Sequence, residues 1–422
     1  MYVINGQLID GDPGNAQAVL ATAHMTGTRP RCTCQDGDGA DMYIAKVSGR
    51  YLIKRMPGTG STHDPMCASY APPPEVSGLA HLLGKAVKEQ PEATRITLGF
   101  PLTHHGLRVA TTAAATETDD SASDFTKLTL RGLLHLLWDD AGFTRWTPGM
   151  LGKRNWATIR KYLLSAAEDK TTNRTPLVNR LWIPETFNSE RKAEIIARRT
   201  VAMSCLTGNG SRRRLMIAVG EIKRITPTTT GAALLFKHVP DLPLHLTHET
   251  NARMIATFGT ELSLRADNPD THLIGILTFG ESNKGTADVD QIAVMTVTQH
   301  WIPITTPTEK HLVDRLTDDQ RRFVKSLRYN LGPDTPMAAL TLIDTSPATA
   351  CYIIGPDDSD RQRSGFDSLI STSQLDSWIF DTASETTPPA SAWRDRRSHD
   401  EPGQPTLDIE LPDLPEGSHG DE

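Results

Sequence analysis

The chain has 422 residues, of which 38% are hydrophobic, and a formal net charge of −7 at pH 7. That length allows roughly two or three domains with sizeable cores, no apolar run is long enough to span a bilayer, and the N-terminus lacks the pattern of a signal peptide. Five cysteines, an odd number in a chain of this size, argue against a disulfide framework. We therefore expect a soluble cytoplasmic protein without a membrane partner.

Charge is distributed unevenly along the chain. Residues 381–422 hold eleven acids and three bases, whereas the remaining chain holds 41 bases and 40 acids. Within this nearly neutral part, bases cluster in residues 42–60 and 143–161, and neither stretch contains an acid. The clustered bases are Lys46, Arg50, Lys54, Arg55, Arg145, Lys153, Arg154, Arg160 and Lys161. Together the clusters predict a local anionic partner such as nucleic acid, although either one alone is more simply interpreted as a solvated face.

After a short strand and a helix predicted over Gly14–His24, the chain enters a segment rich in metal-binding residue types. Cys32 and Cys34 are separated by one residue, and His63 and Cys67 by three. Two close pairs of Cys and His are typical of zinc sites, because each short pair turns both side chains toward one ion. The alternative is a small core of reduced thiols with a histidine that caps a turn.

A predicted β-hairpin separates these two pairs. Met42–Val47 and Arg50–Met56 read as strands, and Ser48-Gly49 forms the turn between them. Such a hairpin would carry the chain out and back, so that the first pair lies beside the second. Four protein ligands would close the coordination sphere. The sequence therefore predicts a structural Zn²⁺ module over residues 30–70.

The next predicted elements are mostly helical. An amphipathic helix is predicted over Glu75–Gln90, then strands over Arg95–Leu98 and Leu107–Ala110, and a loop over Ala113–Ser123. Helices follow over Thr129–Ala141, Lys153–Glu168 and 189–204. The first two resemble a helix-turn-helix whose second helix carries bases in its first turns, but the connector is longer than that motif has.

Strands are predicted over Leu215–Ile222, Ala232–His238, His272–Phe279 and Ile292–Val297, with a helix over His248–Phe258. Glu221 and Lys223 have the spacing of the E-x-K half of a metal-dependent nuclease site. An Asp on a neighbouring strand is also needed, and none precedes them closely. The simpler interpretation is the solvated edge of a strand.

The last predicted unit begins with a helix over residues 307–318. It continues with strands over Arg322–Tyr329, Ala338–Asp344 and Thr349–Ile354, a helix over Gly365–Ser371, and a strand over Trp378–Phe380. This order resembles the restriction-endonuclease-like fold. Ala339 and Tyr352 occupy the positions of its metal-binding acids, and only Glu309 keeps a suitable residue type. Asp344 is expected to open the turn at Ser346-Pro347. The predicted site is therefore degenerate.

Several segments resemble one bacterial family, domain of unknown function 1173. They are RPRCTC, MYIAKVSGRYLIKRMPGTG, HDPMCASYAPP, LLHLLWDDAGFTRW, GKRNWATIRKYLLSAAE, IPETF, QHWIPI and RRFVKSLRYNL. The resemblance extends to about residue 381. It implies a bacterial cytoplasmic protein often carried with mobile genetic elements, and it implies no activity.

Together these features predict an α+β fold with a zinc-binding hairpin module, a helical middle block and a mixed α/β C-terminal part. The predicted ranges are 1–112, 126–206, 207–302 and 303–381, followed by a disordered acidic, proline-rich tail over 382–422. The predicted function is non-catalytic binding of nucleic acid, with DNA favoured, as an accessory to a mobile element. The alternatives are a metal-dependent nuclease using Glu221 and Lys223, and a protein–protein adaptor with a structural zinc module. The oligomeric state stays open.

Overall fold

A computed structural model describes most of the chain, in residues 1–9, 16–35, 37, 39–47, 49–91, 93–105, 125–206, 212–281, 287–356, 358–381 and 386–392. Within these residues the fold is α+β, with seven α-helices and five sheets. The helices are α1 (Gln17–Thr26), α2 (Leu130–Asp140), α3 (Trp156–Glu168), α4 (Lys192–Met203), α5 (His248–Asp267), α6 (Pro307–Asp318) and α7 (Asp360–Thr372). None of the described helices is both long and apolar enough to cross a membrane.

The strands of the first half of the chain are short apart from one hairpin. They are β1 (Tyr2–Ile4), β2 (Gln7–Ile9), β3 (Arg31–Cys32), β4 (Ala40–Val47), β5 (Arg50–Arg55), β6 (Val87–Lys88), β7 (Thr94–Ile96), β8 (Thr103–His105), β9 (Arg145–Trp146), β10 (Lys170–Thr172), β11 (Thr175–Pro176) and β12 (Leu181–Trp182). The remaining strands are β13 (Arg212–Arg214), β14 (Met216–Thr228), β15 (Gly231–Phe236), β16 (Leu244–Thr247), β17 (His272–Glu281), β18 (Ala287–Val297), β19 (Pro303–Ile304), β20 (Phe323–Lys325), β21 (Leu340–Leu342), β22 (Thr349–Ile354) and β23 (Asp376–Asp381).

The N-terminal sheet has the strand order β2-β1-β3-β4-β5, and all its pairs are antiparallel. The predicted hairpin is confirmed, since Val47 faces Arg50 across β4 and β5. The helix α1 covers this sheet through Leu20 and Ala23, which pack with Ile4. The side chain of Gln17 fixes the docking, because it donates to the carbonyl of Tyr51 and accepts from its N–H, both at 2.9 Å.

The helix predicted over Glu75–Gln90 is wrong. That segment contains a single 3₁₀ turn (Pro74–Val76), further turns and the short strand β6. Gly84 has a φ of +74°, which interrupts a helix, and a Cβ at Gly78 would lie 2.1 Å from the carbonyl oxygen of Arg328. Leu82 and Val87 are buried as the pattern required. The apolar spacing therefore indicates correctly which side chains are buried, whereas the glycines prevent the segment from forming a helix. The strand predicted over Leu107–Ala110 and the loop over Ala113–Ser123 lie outside the described residues.

The helices α2 and α3 begin at side-chain caps. Oγ1 of Thr129 accepts from the N–H of Gly132 at 3.0 Å, and Oδ1 of Asn155 accepts from that of Thr158 at 3.0 Å. The second helix therefore begins three residues later than its predicted start at Lys153. The connector between α2 and α3 contains β9 and a 3₁₀ turn, and most of α2 is buried. This pair does not have the short turn of a helix-turn-helix motif.

The largest sheet closes on itself, because β14, β15, β16, β18 and β17 pair in that order and β17 pairs again with β14. The helix α5 packs against it through Met254 and Phe258, whereas Leu264 packs in the core of the C-terminal part. This helix continues nine residues beyond its predicted end at Phe258, where the backbone is locally non-helical. The main core draws residues from Leu82 to Tyr329, so several of the predicted ranges contribute to one core.

The C-terminal sheet has the order β23-β22-β21-β20-β9. The strands β20, β21 and β22 form an antiparallel meander, and β23 runs parallel to β22 after the helix α7. The predicted bounds of α6 and β22 are confirmed, whereas β20 and β21 are shorter than predicted. Asp344 does more than open a turn, since its buried carboxylate accepts two hydrogen bonds from Arg321, each 2.8 Å long.

Candidate metal centre

The four predicted metal ligands converge at one point. Cys32 ends β3, Cys34 follows it, His63 comes directly after a 3₁₀ turn over Gly60–Thr62, and Cys67 lies in the next turn. The sulfurs of Cys32 and Cys67 are 3.6 Å apart, and Nδ1 of His63 lies 3.3 Å from the sulfur of Cys34 and 3.9 Å from that of Cys67. All four ligand atoms lie within 4.8 Å of one another. Such a Cys₃His cluster could hold one metal ion.

The spacing agrees with tetrahedral coordination. For Zn–S bonds of about 2.3 Å and a Zn–N bond of about 2.0–2.1 Å, the edges of a tetrahedron are roughly 3.7 Å between sulfurs and 3.6 Å between sulfur and nitrogen. The observed 3.6 Å and 3.3 Å distances are close to these values. The second ring nitrogen of His63, Nε2, is buried and has no hydrogen-bond partner in the described chain.

Backbone N–H groups support the sulfurs. The N–H of Asp64 lies 3.5 Å from Sγ of Cys34, and the N–H of Ser69 lies 3.4 Å from Sγ of Cys67. Oδ1 of Asp64 in turn accepts from the N–H of Met66 at 2.8 Å, which fixes the turn between the two C-terminal ligands. These donors stabilise negative charge on the sulfurs, as a bound cation requires of its thiolate ligands.

Proton affinities within the cluster differ because the thiols are in contact. A hydrogen bond from Cys32 lowers the pKa of Cys67 to about 5, and the same hydrogen bond raises the pKa of Cys32. Burial raises the pKa of Cys34. Three thiolates at this separation repel one another, so a bound dication must replace the protons that otherwise relieve the repulsion.

The loop that carries Cys67 is attached to the C-terminal sheet. Arg145 donates to the carbonyl of Cys67 at 3.0 Å and to that of Tyr70 at 2.8 Å. Tyr70 is buried against Val324, which lies on β20, and Ile343, which directly follows β21. These contacts of Arg145 and Tyr70 join the segment of the Cys₃His cluster to the C-terminal sheet.

Comparison with known protein families identifies the family of this chain. The sequence model of a family described as "Protein of unknown function (DUF1173)" matches residues 2–383, which is most of the chain. The chain belongs to the DUF1173 family. No curated protein and no solved structure matches it. Because the family description names no activity, the function of this DUF1173 protein has to be argued from its own sites.

Several of the predicted nucleic-acid-binding bases make contacts inside the protein. Arg154 donates to the carbonyls of Phe143 at 3.1 Å and His300 at 3.2 Å, and burial lowers its pKa to about 9. Arg160 donates to the carbonyl of Ile183 at 3.0 Å. These arginines, with Arg145, stabilise loops by donating hydrogen bonds to their backbone carbonyls.

The basic residues of the hairpin also include some that make contacts inside the protein and some that are exposed. Lys54 forms an ion pair with Asp169, and Arg55 donates to the carbonyl of Ser69 at 3.4 Å. The exposed members of the two clusters are Lys46, Arg50, Lys153 and Lys161. The sequence does not separate the two groups, because carbonyl partners come from distant loops.

Glu221 is not at the solvated edge that the sequence indicated, since it is only 6% exposed. Its Oε1 accepts from Nζ of Lys237 at 2.9 Å and lies 2.9 Å from Nδ1 of His272, while Oε2 has no hydrogen-bond partner. A β-bulge shifts the register between Ile222 and Arg224, and Lys223 is exposed. Glu221 is therefore paired with Lys237, which directly follows β15, and not with Lys223. The E-x-K spacing of the sequence could not reveal this partner.

At the site of the predicted degenerate nuclease, Ala339 and Tyr352 are buried in two different apolar clusters. The one acid of suitable type, Glu309, is already paired. Its Oε1 lies 3.2 Å from Nζ of Lys325, and its Oε2 accepts from the N–H and the hydroxyl of Thr305, both at 2.8 Å. Among the described residues, the Cys₃His cluster is the one group of three or more metal-binding side chains close enough to share an ion.

Proposed function

We propose that Cys32, Cys34, His63 and Cys67 bind one structural Zn²⁺, and that the protein is a non-catalytic nucleic-acid-binding protein. The observation that carries the metal assignment is the closed set of four protein ligand atoms within 4.8 Å. Three cysteines and one histidine are a ligand set that zinc favours, and four protein ligands leave no open position for a substrate. The metal then supplies stability and no chemistry.

The support for nucleic acid comes from the hairpin of β4 and β5. Its base continues from the metal-binding segment, and Lys46 and Arg50 are exposed near its far end. A two-stranded ribbon fits a groove of DNA, and exposed bases without neighbouring acids in sequence suit phosphate contacts. We favour DNA for this reason. Lys153 and Lys161 add a second exposed basic pair.

The C-terminal unit supports a non-catalytic role. We propose that it is a restriction-endonuclease-like domain, because α6, the β20–β21–β22 meander, α7 and the parallel strand β23 follow the expected order. Its metal-ligand positions hold Ala339 and Tyr352. We further propose, from the resemblance noted in the sequence, that the protein serves a mobile genetic element in the bacterial cytoplasm.

Charge reversal at the hairpin should weaken DNA binding. Each phosphate contact contributes a log–log salt slope of about −0.9, so losing two contacts should reduce the magnitude of the slope by roughly 1.8. The variant is Lys46→Glu/Arg50→Glu, measured by fluorescence anisotropy with a DNA duplex between low and moderate salt. The matched control is Lys88→Glu/Arg95→Glu, which changes the net charge equally on another sheet, where both side chains are exposed.

Equal binding by the two double variants would contradict the hairpin assignment. Absence of any salt-sensitive binding by the wild-type protein would instead favour the adaptor alternative, in which the metal module contacts a protein partner.

The protein should not cleave nucleic acid. A nuclease of this fold needs acids that hold a divalent metal, and neither Ala339 nor the phenol of Tyr352 supplies one. The test is incubation with Mg²⁺ or Mn²⁺ and single- or double-stranded DNA and RNA. Cleavage that disappears in Glu221→Gln would instead establish the nuclease alternative, in which Glu221 contributes to the metal site.

A further inference from the structure

The helix α4 lies on the surface with a cavity beneath it. None of its twelve residues is buried. Two ion pairs attach it to the segments below, since Arg198 donates to both carboxylate oxygens of Glu185 at 2.8–2.9 Å and Arg199 binds Asp241. Most helices of a globular protein bury an apolar face. This helix is held instead by charged side chains at its edges, and its inner face borders open space.

That cavity has a volume of about 250 Å³. Its apolar walls come from α4 above and from the segments that precede α4 and follow β15 below; they include Trp182, Phe187, Ile195, Ile196 and Val239. Phe187 is 40% exposed. Small-molecule sites are commonly about 300–1,000 Å³ and largely apolar, with a few polar groups that fix orientation. The size of this cavity suits a molecule with one ring.

The charged groups around the cavity are predominantly basic. Four lysine or arginine side chains line it, against two carboxylates. Hydrogen bonds from Arg198 hold the pKa of Glu185 below its usual value, and Arg160 contributes as a further positive neighbour. Asp241 has the same arrangement, with hydrogen bonds from Arg199 and a contribution from Lys192. Each carboxylate therefore has a second cation near it, Arg160 beside Glu185 and Lys192 beside Asp241, while Arg198 also pairs with Glu194 at 3.6 Å.

The floor of the cavity is fixed by a polar contact and a ring stack. The N–H of Phe187 lies 3.3 Å from Nδ1 of His238, so Nδ1 accepts and the other nitrogen, Nε2, carries the proton of the neutral ring. Nε2 lies 4.0 Å from the oxygen of Glu221 that has no hydrogen-bond partner. The indole of Trp156 stacks on His238 with ring centroids 5.6 Å apart. Because these contacts already fix the side chains of the floor, they lose little conformational freedom when a ligand binds.

We propose that this cavity binds a small organic oxyanion, with a flat apolar body between α4 and Val239 and a phosphate or carboxylate group near Arg160 or Lys192. The apolar walls select the body, and the side chains of Arg160 and Lys192, which are not the hydrogen-bond partners of the two carboxylates, select the charged group. This site is independent of the metal centre and of the exposed basic hairpin.

Four probes separate the contributions of body and charge. They are phenyl phosphate, benzoate, phenol and inorganic phosphate, each titrated into the full chain by calorimetry, with saturation-transfer NMR to detect weak binding. One of the two aromatic oxyanions should bind at least about tenfold more tightly than phenol and than inorganic phosphate, because only these probes combine an apolar ring with a charged hydrogen-bond acceptor. Tighter binding of phenyl phosphate identifies a phosphate ligand, and tighter binding of benzoate identifies a carboxylate ligand.

Two substitutions in one helix locate the site. Ala202→Phe places a ring in the cavity and should abolish binding, whereas Ala197→Phe makes the same change at an exposed position outside the lining and should leave it intact. Lys192→Glu changes an exposed side chain and should weaken binding by about tenfold or more. Equal affinity in all three variants, or no preference of the wild-type protein for the aromatic oxyanions, would overturn the proposal.

Discussion

On the proposed zinc site, replacing Cys34 or Cys67 by serine is expected to abolish metal binding and to unfold residues 30–70. A structural Zn²⁺ site contributes on the order of 10 kcal/mol to the folding of its module, and a serine hydroxyl is a poor substitute for a thiolate at neutral pH. The apolar core beside the cluster is small, with Ile4, Leu20 and Ile44 among its buried members. A core of that size cannot compensate for a loss of this magnitude.

Elemental analysis and hydrogen exchange together test this prediction. Protein prepared without chelator should contain about one zinc per chain, and fewer than about 0.3 would contradict the assignment. Exchange should rise within residues 30–70 and in the contact of Tyr70 with Val324. Cys205→Ser is the matched control, because it makes the same substitution at a free cysteine outside the cluster and should keep the zinc.

The Cys₃His cluster could be predicted from the sequence because the positions of its residues depend largely on local geometry. The hairpin of β4 and β5 follows from strand-forming residues on either side of a two-residue turn, and the pairing of Val47 with Arg50 is what that turn requires. Once the hairpin forms, Cys32 and Cys67 are neighbours. Contacts with distant residues, such as that of Arg145 with the carbonyl of Cys67, then fix the position of the loop.

The roles of the basic residues could not be predicted in this way. Arg154 looks like a solvent-exposed base at the start of a helix, yet it donates to the carbonyl of His300, which is 146 residues away. A carbonyl acceptor leaves no trace in the sequence, because every residue carries one. Lys46 and Lys54 likewise differ only in whether Asp169 lies within reach. The tertiary arrangement decides which bases are available to a partner.

The burial of Glu221 was missed for a similar reason. Its partners, Lys237 and His272, come from neighbouring strands of the closed sheet. The sequence did contain a signal, since a lysine and a histidine stand at the ends of two strongly apolar strand segments. Their meeting point depends on the pairing of β14 with both β15 and β17, which periodicity alone does not give.

Removing the carboxylate of Glu309 should lower the free energy of unfolding by about 3–5 kcal/mol, because the substitution leaves the buried ammonium of Lys325 without a counter-charge. The side chain of Lys325 is only 3% exposed, and its remaining acceptor is the carbonyl of Ser326 at 2.9 Å. The measurement is urea denaturation of Glu309→Ala beside the wild-type protein. Glu249→Ala breaks an exposed ion pair with Arg253 on α5 and should cost less than about 1 kcal/mol.

The double variant Glu309→Ala/Lys325→Met distinguishes two causes of instability, which are the lost attraction between Glu309 and Lys325 and the unpaired buried charge of Lys325. Replacing a whole buried pair by apolar groups is often close to neutral, so the double variant should be more stable than Glu309→Ala. The opposite order of stability would show that Lys325 finds another partner and that the ion pair is not what stabilises this site.

Lowering the pH should remove the stabilisation that the carboxylate of Glu309 provides. Burial alone would raise the pKa of Glu309, but Lys325 and the hydrogen bonds from Thr305 outweigh it and hold the pKa below its ordinary value. A carboxyl group with a lowered pKa in the folded state stabilises the fold above its unfolded pKa of about 4.3, and this contribution is lost as the pH falls through the folded value. The stability difference between wild type and Glu309→Ala should therefore shrink below about pH 4. A constant difference from neutral pH down to pH 3 would mean that folding does not shift the pKa of Glu309, and a difference that grows as the pH falls would mean that the carboxyl group is neutral in the folded protein.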